Sequence, residues 1–187
     1  GGVQAGGANY HYAGCGVAIS ADGRFVAFDS EASNLVRHDT NGRFDVFVRD
    51  RLKRTTDLAS VDSRGVQGND AGGSRGPALS PDGRFVAFDS QAWNLVVGDT
   101  GRQTDVFVRD RLKKTTERLS ISRSGEQGSD YSNDASISAD GRFVAFASSA
   151  SNLAPGAAET CLRLGTVREN CTDVFLRDRV KRTTMLV

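Results

Sequence analysis

The sequence predicts an all-β chain made of three copies of one four-stranded antiparallel unit, each of about 60 residues. Three observations predict it. An octapeptide returns at nearly even spacing, a second apolar hexapeptide follows it each time, and Asp-Gly turn signals separate short apolar runs. Sustained apolar spacing of three and four, the mark of an amphipathic helix, is missing throughout.

The octapeptide is Ala21-Asp22-Gly23-Arg24-Phe25-Val26-Ala27-Phe28. It returns as residues 81–88, led by Pro81, and as residues 139–146, led by Ala139. Asp22 and Asp82 are 60 residues apart, Asp82 and Asp140 are 58 apart. The hexapeptide Asp45-Val46-Phe47-Val48-Arg49-Asp50 returns as residues 105–110 and, with one Val replaced by Leu176, as residues 173–178. Each copy then runs through a basic stretch to a Thr pair: Thr55 and Thr56, Thr115 and Thr116, Thr183 and Thr184.

Four strands follow in each copy, lettered A to D in chain order. In the second copy, strand A is residues 76–80. The turn Pro81-Asp82-Gly83 comes next, because Pro presets φ, Asp bonds its local backbone and Gly accepts positive φ. Strand B covers residues 84–89, strand C residues 105–109, and strand D about residues 115–121. The Phe-Val-Ala-Phe and Val-Phe-Val cores are continuously apolar, as strands covered on both faces require. The units are expected at about residues 14–62, 76–122 and 134–187.

The Ser-x-Asp-Gly-Arg-Phe-Val-Ala-Phe signature and the following Asp-Val-Phe-Val-Arg-Asp resemble the PD40, or TolB-like (WD40-like), β-propeller repeat. The resemblance covers essentially the whole chain. It implies radially stacked blades and leaves activity open, since propellers host many functions. Propeller-bearing peptidases keep their catalytic residues in a separate hydrolase domain, and no stretch of this sequence reads as one.

Up-and-down blades put the A–B and C–D turns on one face and the B–C and D–A loops on the other. Here the first pair is short and the second pair long: residues 31–44 and 62–75 in the first copy. The long-loop face is therefore the expected surface for a glycan or protein ligand, unless these loops only span between strands.

Candidate chemistry is sparse. Asp39, Asn41 and Asp45 place oxygens at a spacing that can surround calcium, although the closing bidentate Glu of an EF-hand is missing. Asx-turns that tie down loop amides explain the same residues. The second copy, Asp99 to Asp105, lacks the Asn, and the third replaces the motif with a cysteine-bearing insertion. Cys161 and Cys171 flank that insertion and are expected to form a disulfide, with two free thiols as the alternative; Cys15 is left over. His11 and His38 have no metal-ligand spacing, and no nucleophile elbow or phosphate loop appears, so no catalytic residue is expected. Asp50, Asp110 and Asp178, each preceded by Arg, recur at one position and read as structural. The basic hairpins at residues 49–54, 109–114 and 177–182 read as solvated turns rather than a polyanion site. Asn170-Cys171-Thr172 fits a glycosylation sequon.

A net charge of +1 argues against a nucleic-acid partner, and no apolar run reaches bilayer length, so no membrane insertion is expected. The chain begins at Gly1 without Met, as an excised or processed piece would. Three blades are too few to close a ring, and open flanks need cover. The expectation is a secreted, extracellular or periplasmic, non-enzymatic scaffold that self-associates, as half of a six-bladed ring or as a fibre unit. The alternative is a piece of a larger propeller that binds ligands through its long loops.

Overall fold

The computed structural model describes residues 16–69, 72–100, 103–157, 160–163, 166–169 and 171–187, with backbone alone for the two short stretches 160–163 and 166–169. Each repeat folds into a four-stranded antiparallel sheet in chain order. Blade 1 holds β1 (Val17–Ile19), β2 (Phe25–Ser30), β3 (Asp45–Asp50) and β4 (Thr55–Leu58). Blade 2 holds β5 (Ser74–Leu79), β6 (Phe85–Ser90), β7 (Asp105–Asp110) and β8 (Thr115–Arg118). Blade 3 begins with β9 (Ser132–Ile137) and β10 (Phe143–Ser148). A separate hairpin of β11 (Thr160–Arg163) and β12 (Thr166–Glu169) intervenes before β13 (Asp173–Asp178) and β14 (Thr183–Leu186) complete the sheet.

The register repeats with the sequence: Phe25 lies opposite Asp50, Phe85 opposite Asp110 and Phe143 opposite Asp178. The A–B turn is built by the Ser-x-Asp-Gly-Arg signature. Ser80 Oγ donates to Asp82 Oδ1 (2.6 Å) and accepts from the Phe85 amide, while the Arg84 amide donates to Asp82. Gly83 takes φ +73°, a value that glycine reaches without a Cβ clash.

Two boundaries differ from the expected ones by more than one residue. Strand A of blade 2 starts at Ser74, because a bulge between Arg75 and Ala78 absorbs Gly76 and Pro77; a residue without N–H is tolerated there since the ladder is already broken. Strand D ends at Arg118, yet Leu119 N still donates to Val106 O and Ile121 bridges Gln127. The cysteine insertion, read only as a loop from sequence, folds into the β11–β12 hairpin.

The sheets stack face on face without closing into a ring. Strands β1, β5 and β9 approach one another, and the outer strands make no comparable approach, so the blades fan out from strand A. Side-chain alternation gives each blade two apolar faces. The forward face of blade 1, with Ala27, Val46 and Val48, packs on the rear face of blade 2, with Val86, Phe88 and Phe107. The forward face of blade 2, with Phe85, Val106, Val108 and Leu119, packs on Val144, Phe146 and Phe175 of blade 3. Blade 2 is thus covered on both sides.

Candidate functional site

The long-loop face carries the candidate cation residues. Asp39 and Asp45 converge, but the group between them is the Gln67 side-chain amide, whose Nε2 donates to Asp39 Oδ1 (2.9 Å) and to Asp45 Oδ2 (2.7 Å). Ser60 Oγ donates to Asp45 Oδ1 (2.5 Å). Asn41 Oδ1 accepts from the Arg43 amide, an Asx-turn, and its Nδ2 donates to Gly68 O. Burial pushes the Asp45 carboxyl up to about 6, against the hydrogen bonds from Ser60, Gln67 and Asn41. Blade 2 repeats the arrangement: Gln127 Nε2 bridges Asp99 (3.0 Å) and Asp105 (2.6 Å), and burial lifts Asp105 to about 6. Arg118 adds a cation 3.2 Å from Asp99.

The three residues read from sequence do come together, around a partner that reading did not include. The signal was present, because Gln67 and Gln127 each stand two residues after a recurrent Gly, at Gly65 and Gly125. The amide gives a donor to one oxygen of each carboxylate, and Asp39 Oδ2 stays buried with no hydrogen-bond partner among the described residues. Among the described residues no group of three or more His, Cys, Asp or Glu is disposed to hold one.

The same loops help wall a groove of about 970 Å³, also lined by Leu58, Ala59, Arg109 and Lys114, with His38 and Asn69 among the loop residues. Asn94 Nδ2 donates to Gln67 O and the Asn69 amide donates to Asn94 Oδ1, so the B–C loop of one blade is pinned to the D–A loop of the blade before.

The opposite face carries the recurrent Arg and Asp residues. Asp110 pairs with the turn residue Arg84 through one guanidinium edge, Nε and Nη2 (3.0 and 2.6 Å), not with the preceding Arg109. Its Oδ1 also caps the Leu112 and Lys113 amides. Burial opposes ionisation of Asp110, but Arg84 and these amides outweigh it and hold the carboxyl below its ordinary range. Arg24 with Asp50 and Arg142 with Asp178 repeat the fork. The structural reading of these acids holds; their partner is a different arginine.

The basic hairpins are not solvated turns alone. Arg109 is buried and donates to Asp62 O of the preceding blade (2.9 Å), while Thr116 Oγ1 donates to Val61 O (2.5 Å). Arg177 and Thr184 do the same to Ser122 O and Ile121 O. Arg111 reaches back over the Phe25 ring (4.6 Å) to Asp57 (3.2 Å), and Arg179 reaches back over Phe85 (4.8 Å) to Glu117. These cations latch blades together.

Cys171 is buried, whereas the Cys161 side chain and its expected pairing lie outside the described residues, as do His11, Cys15 and Asn170. No helix among the described residues is long and apolar enough to cross a membrane.

No protein-family signature matches the sequence, and no curated protein does. Similar solved structures are propellers or carry them. A protein assigned as TolB from Agrobacterium tumefaciens matches 94% of this chain and 50% of its own, at 16% identity and TM-score 0.51. The β-propeller domain of the Trilobed protease from Pyrococcus furiosus, of open velcro topology, matches 92% and 42%, at 11% identity and TM-score 0.50. Dipeptidyl peptidase 4 from Porphyromonas gingivalis matches 96% and 26%, at 16% identity and TM-score 0.51. The chain therefore spans half or less of each. Recurrent register, fanned sheets and these likenesses agree on one fold: three consecutive β-propeller blades, similar in structure to those of TolB.

Proposed function

We propose that this chain is a non-enzymatic scaffold whose two open flanks are covered by a second copy, three blades and three blades completing one ring. The observation that carries it is a set of exposed apolar side chains on faces whose counterparts are packed inside, although Phe47 at the rear of blade 1 is already buried. The rear of blade 1 exposes Val17 (72%) and Ile19 (61%). The front of blade 3 exposes Val174 (49%) and Val187 (81%), where the equivalent Val106 and Leu119 of blade 2 are sealed. Rear and front are the two halves of one interface already made twice within the chain.

Covering these side chains contributes roughly 5 kcal/mol per junction. Association costs of the order of 4–15 kcal/mol, so one junction alone breaks even at best. A closed pair makes two junctions and incurs that cost once, which favours a ring over an open fibre. Light scattering on the intact chain is expected to give twice the chain mass at micromolar concentration. A monomer at every concentration, or a polymer that grows with concentration, overturns the closed ring.

A second reading is supported by Arg49 and Thr56. Among the described residues Arg49 reaches only Thr56, whereas Arg109 and Thr116 both take carbonyls beyond strand D of the blade before. A longer polypeptide with further blades would supply those carbonyls in cis and leave this segment as part of a ligand-binding module. Its ligand would sit on the long-loop face; loss of glycan or peptide binding when residues 31–44 are shortened would support that reading. A location outside the cytoplasm belongs to the proposal and rests on the Cys161–Cys171 pairing. Alkylation followed by mass measurement should show both thiols protected.

A further inference from the structure

Each internal junction carries the same four-part latch. The Phe25 ring lies against the Gly83 turn of the next blade, where a Cβ would approach it to 2.1 Å, and under Arg111, which also reaches Asp57. The Phe85 ring lies against Gly141, where a Cβ would approach to 2.2 Å, and under Arg179, which also reaches Glu117. Gly, Arg, Phe and acid occur at both junctions from equivalent repeat positions, so the latch belongs to the repeat.

The open flanks hold its two halves apart. At the rear of blade 1, Arg51 donates to Gly23 O (2.7 Å) as Arg111 does to Gly83 O, and among the described residues the space above Gly23 meets only Arg51 and Ile19. At the front of blade 3, Phe143 is stacked by its own Arg142 (4.7 Å) and has no second guanidinium among the described residues. The acid's position is taken by Met185, opposite Leu176 as Glu117 is opposite Val108, and Met185 is 48% exposed.

Resting on the two-copy reading above, we infer that the inter-chain junction is this same latch in trans, with Phe143 of one copy seated on Gly23 and under Arg51 of the second, and that Met185 sets it weaker than the internal ones. The partner is specified by shape and charge: a glycine turn bearing a guanidinium, which the chain presents at its own rear. Without the acid, Arg51 keeps the ring contact and loses the ion pair, so the junction is the reversible one in an otherwise fixed stack.

Sedimentation equilibrium of the intact chain and three variants tests this. Met185→Glu restores the missing acid and should tighten association about 2- to 5-fold at low salt, the effect fading at high salt. Arg51→Glu should weaken association, and Arg51→Glu combined with Met185→Arg should restore it. Thermal unfolding of each variant below its association range checks that the blades themselves persist. An unaltered dimer in both single variants overturns the latch while leaving the two-copy ring in place. A natural chain that stays monomeric while Met185→Glu pairs supports the latch and overturns the natural ring; no association by either overturns both.

Discussion

At the scale of single residues, the carboxylates divide by what surrounds them. Asp110 is ionised because a guanidinium and two amides face it, and removing it strands Arg84 and uncaps the turn. Asp110→Ala is expected to cost about 2 kcal/mol in chemical denaturation. Asp89 is the opposite case. Burial first, then the charge of Asp134, push its carboxyl up to about 7, with Asp29 adding to the rise and Arg75 opposing it. Its folded value lies above the unfolded value of 3.8, so the native state holds the proton more tightly and stability falls as pH rises between them. Asp89→Asn should therefore match the natural chain near pH 3.5, gain stability through pH 7 and hold a constant advantage above it. An advantage that does not change with pH would contradict the assignment.

At the scale of elements, the strands and Asp-Gly turns follow directly from the repeated octapeptide and hexapeptide, whose register is the same in all three blades. Strand A was harder to place because its bulge depends on contacts with the preceding blade: the Gly76 amide donates to Asp29 of blade 1 (3.1 Å). In blade 3 the bulge position of Gly76, φ +60°, is held by Asp134 at φ +54°. A non-glycine residue there carries a steric cost of roughly 1 kcal/mol. Asp134→Gly is expected to raise stability by about that amount and to lower the pH at which Asp89 titrates, both measurable in one pH series of melts. The cation reading failed to include Gln67 for a related reason. Asp39 and Asp45 lie near each other in sequence, but the amide that joins them arrives from a different loop, 22 residues past Asp45.

At the scale of the whole molecule, one repeat position has different fates in different blades. Leu79 packs into the blade 1–blade 2 core, while its counterpart Ile19 is 61% exposed. Leu79→Lys should destabilise the chain by about 3 kcal/mol, since it buries a charge in an apolar junction. Ile19→Lys should leave monomer stability within about 0.5 kcal/mol and abolish pairing of copies. Equal loss of stability in both variants would show that the rear of blade 1 is covered within the chain.

The sequence alone determined the repeat, the strand order, the tight turns and the need for neighbours, because each is written in local spacing or in apolar runs too continuous for a one-sided sheet. Only the tertiary structure decided which arginine meets which aspartate, that Gln67 fills the space between Asp39 and Asp45, and which faces stay open. Those outcomes depend on groups 22 to 62 residues apart meeting within a blade or across two, and no local pattern encodes such a meeting.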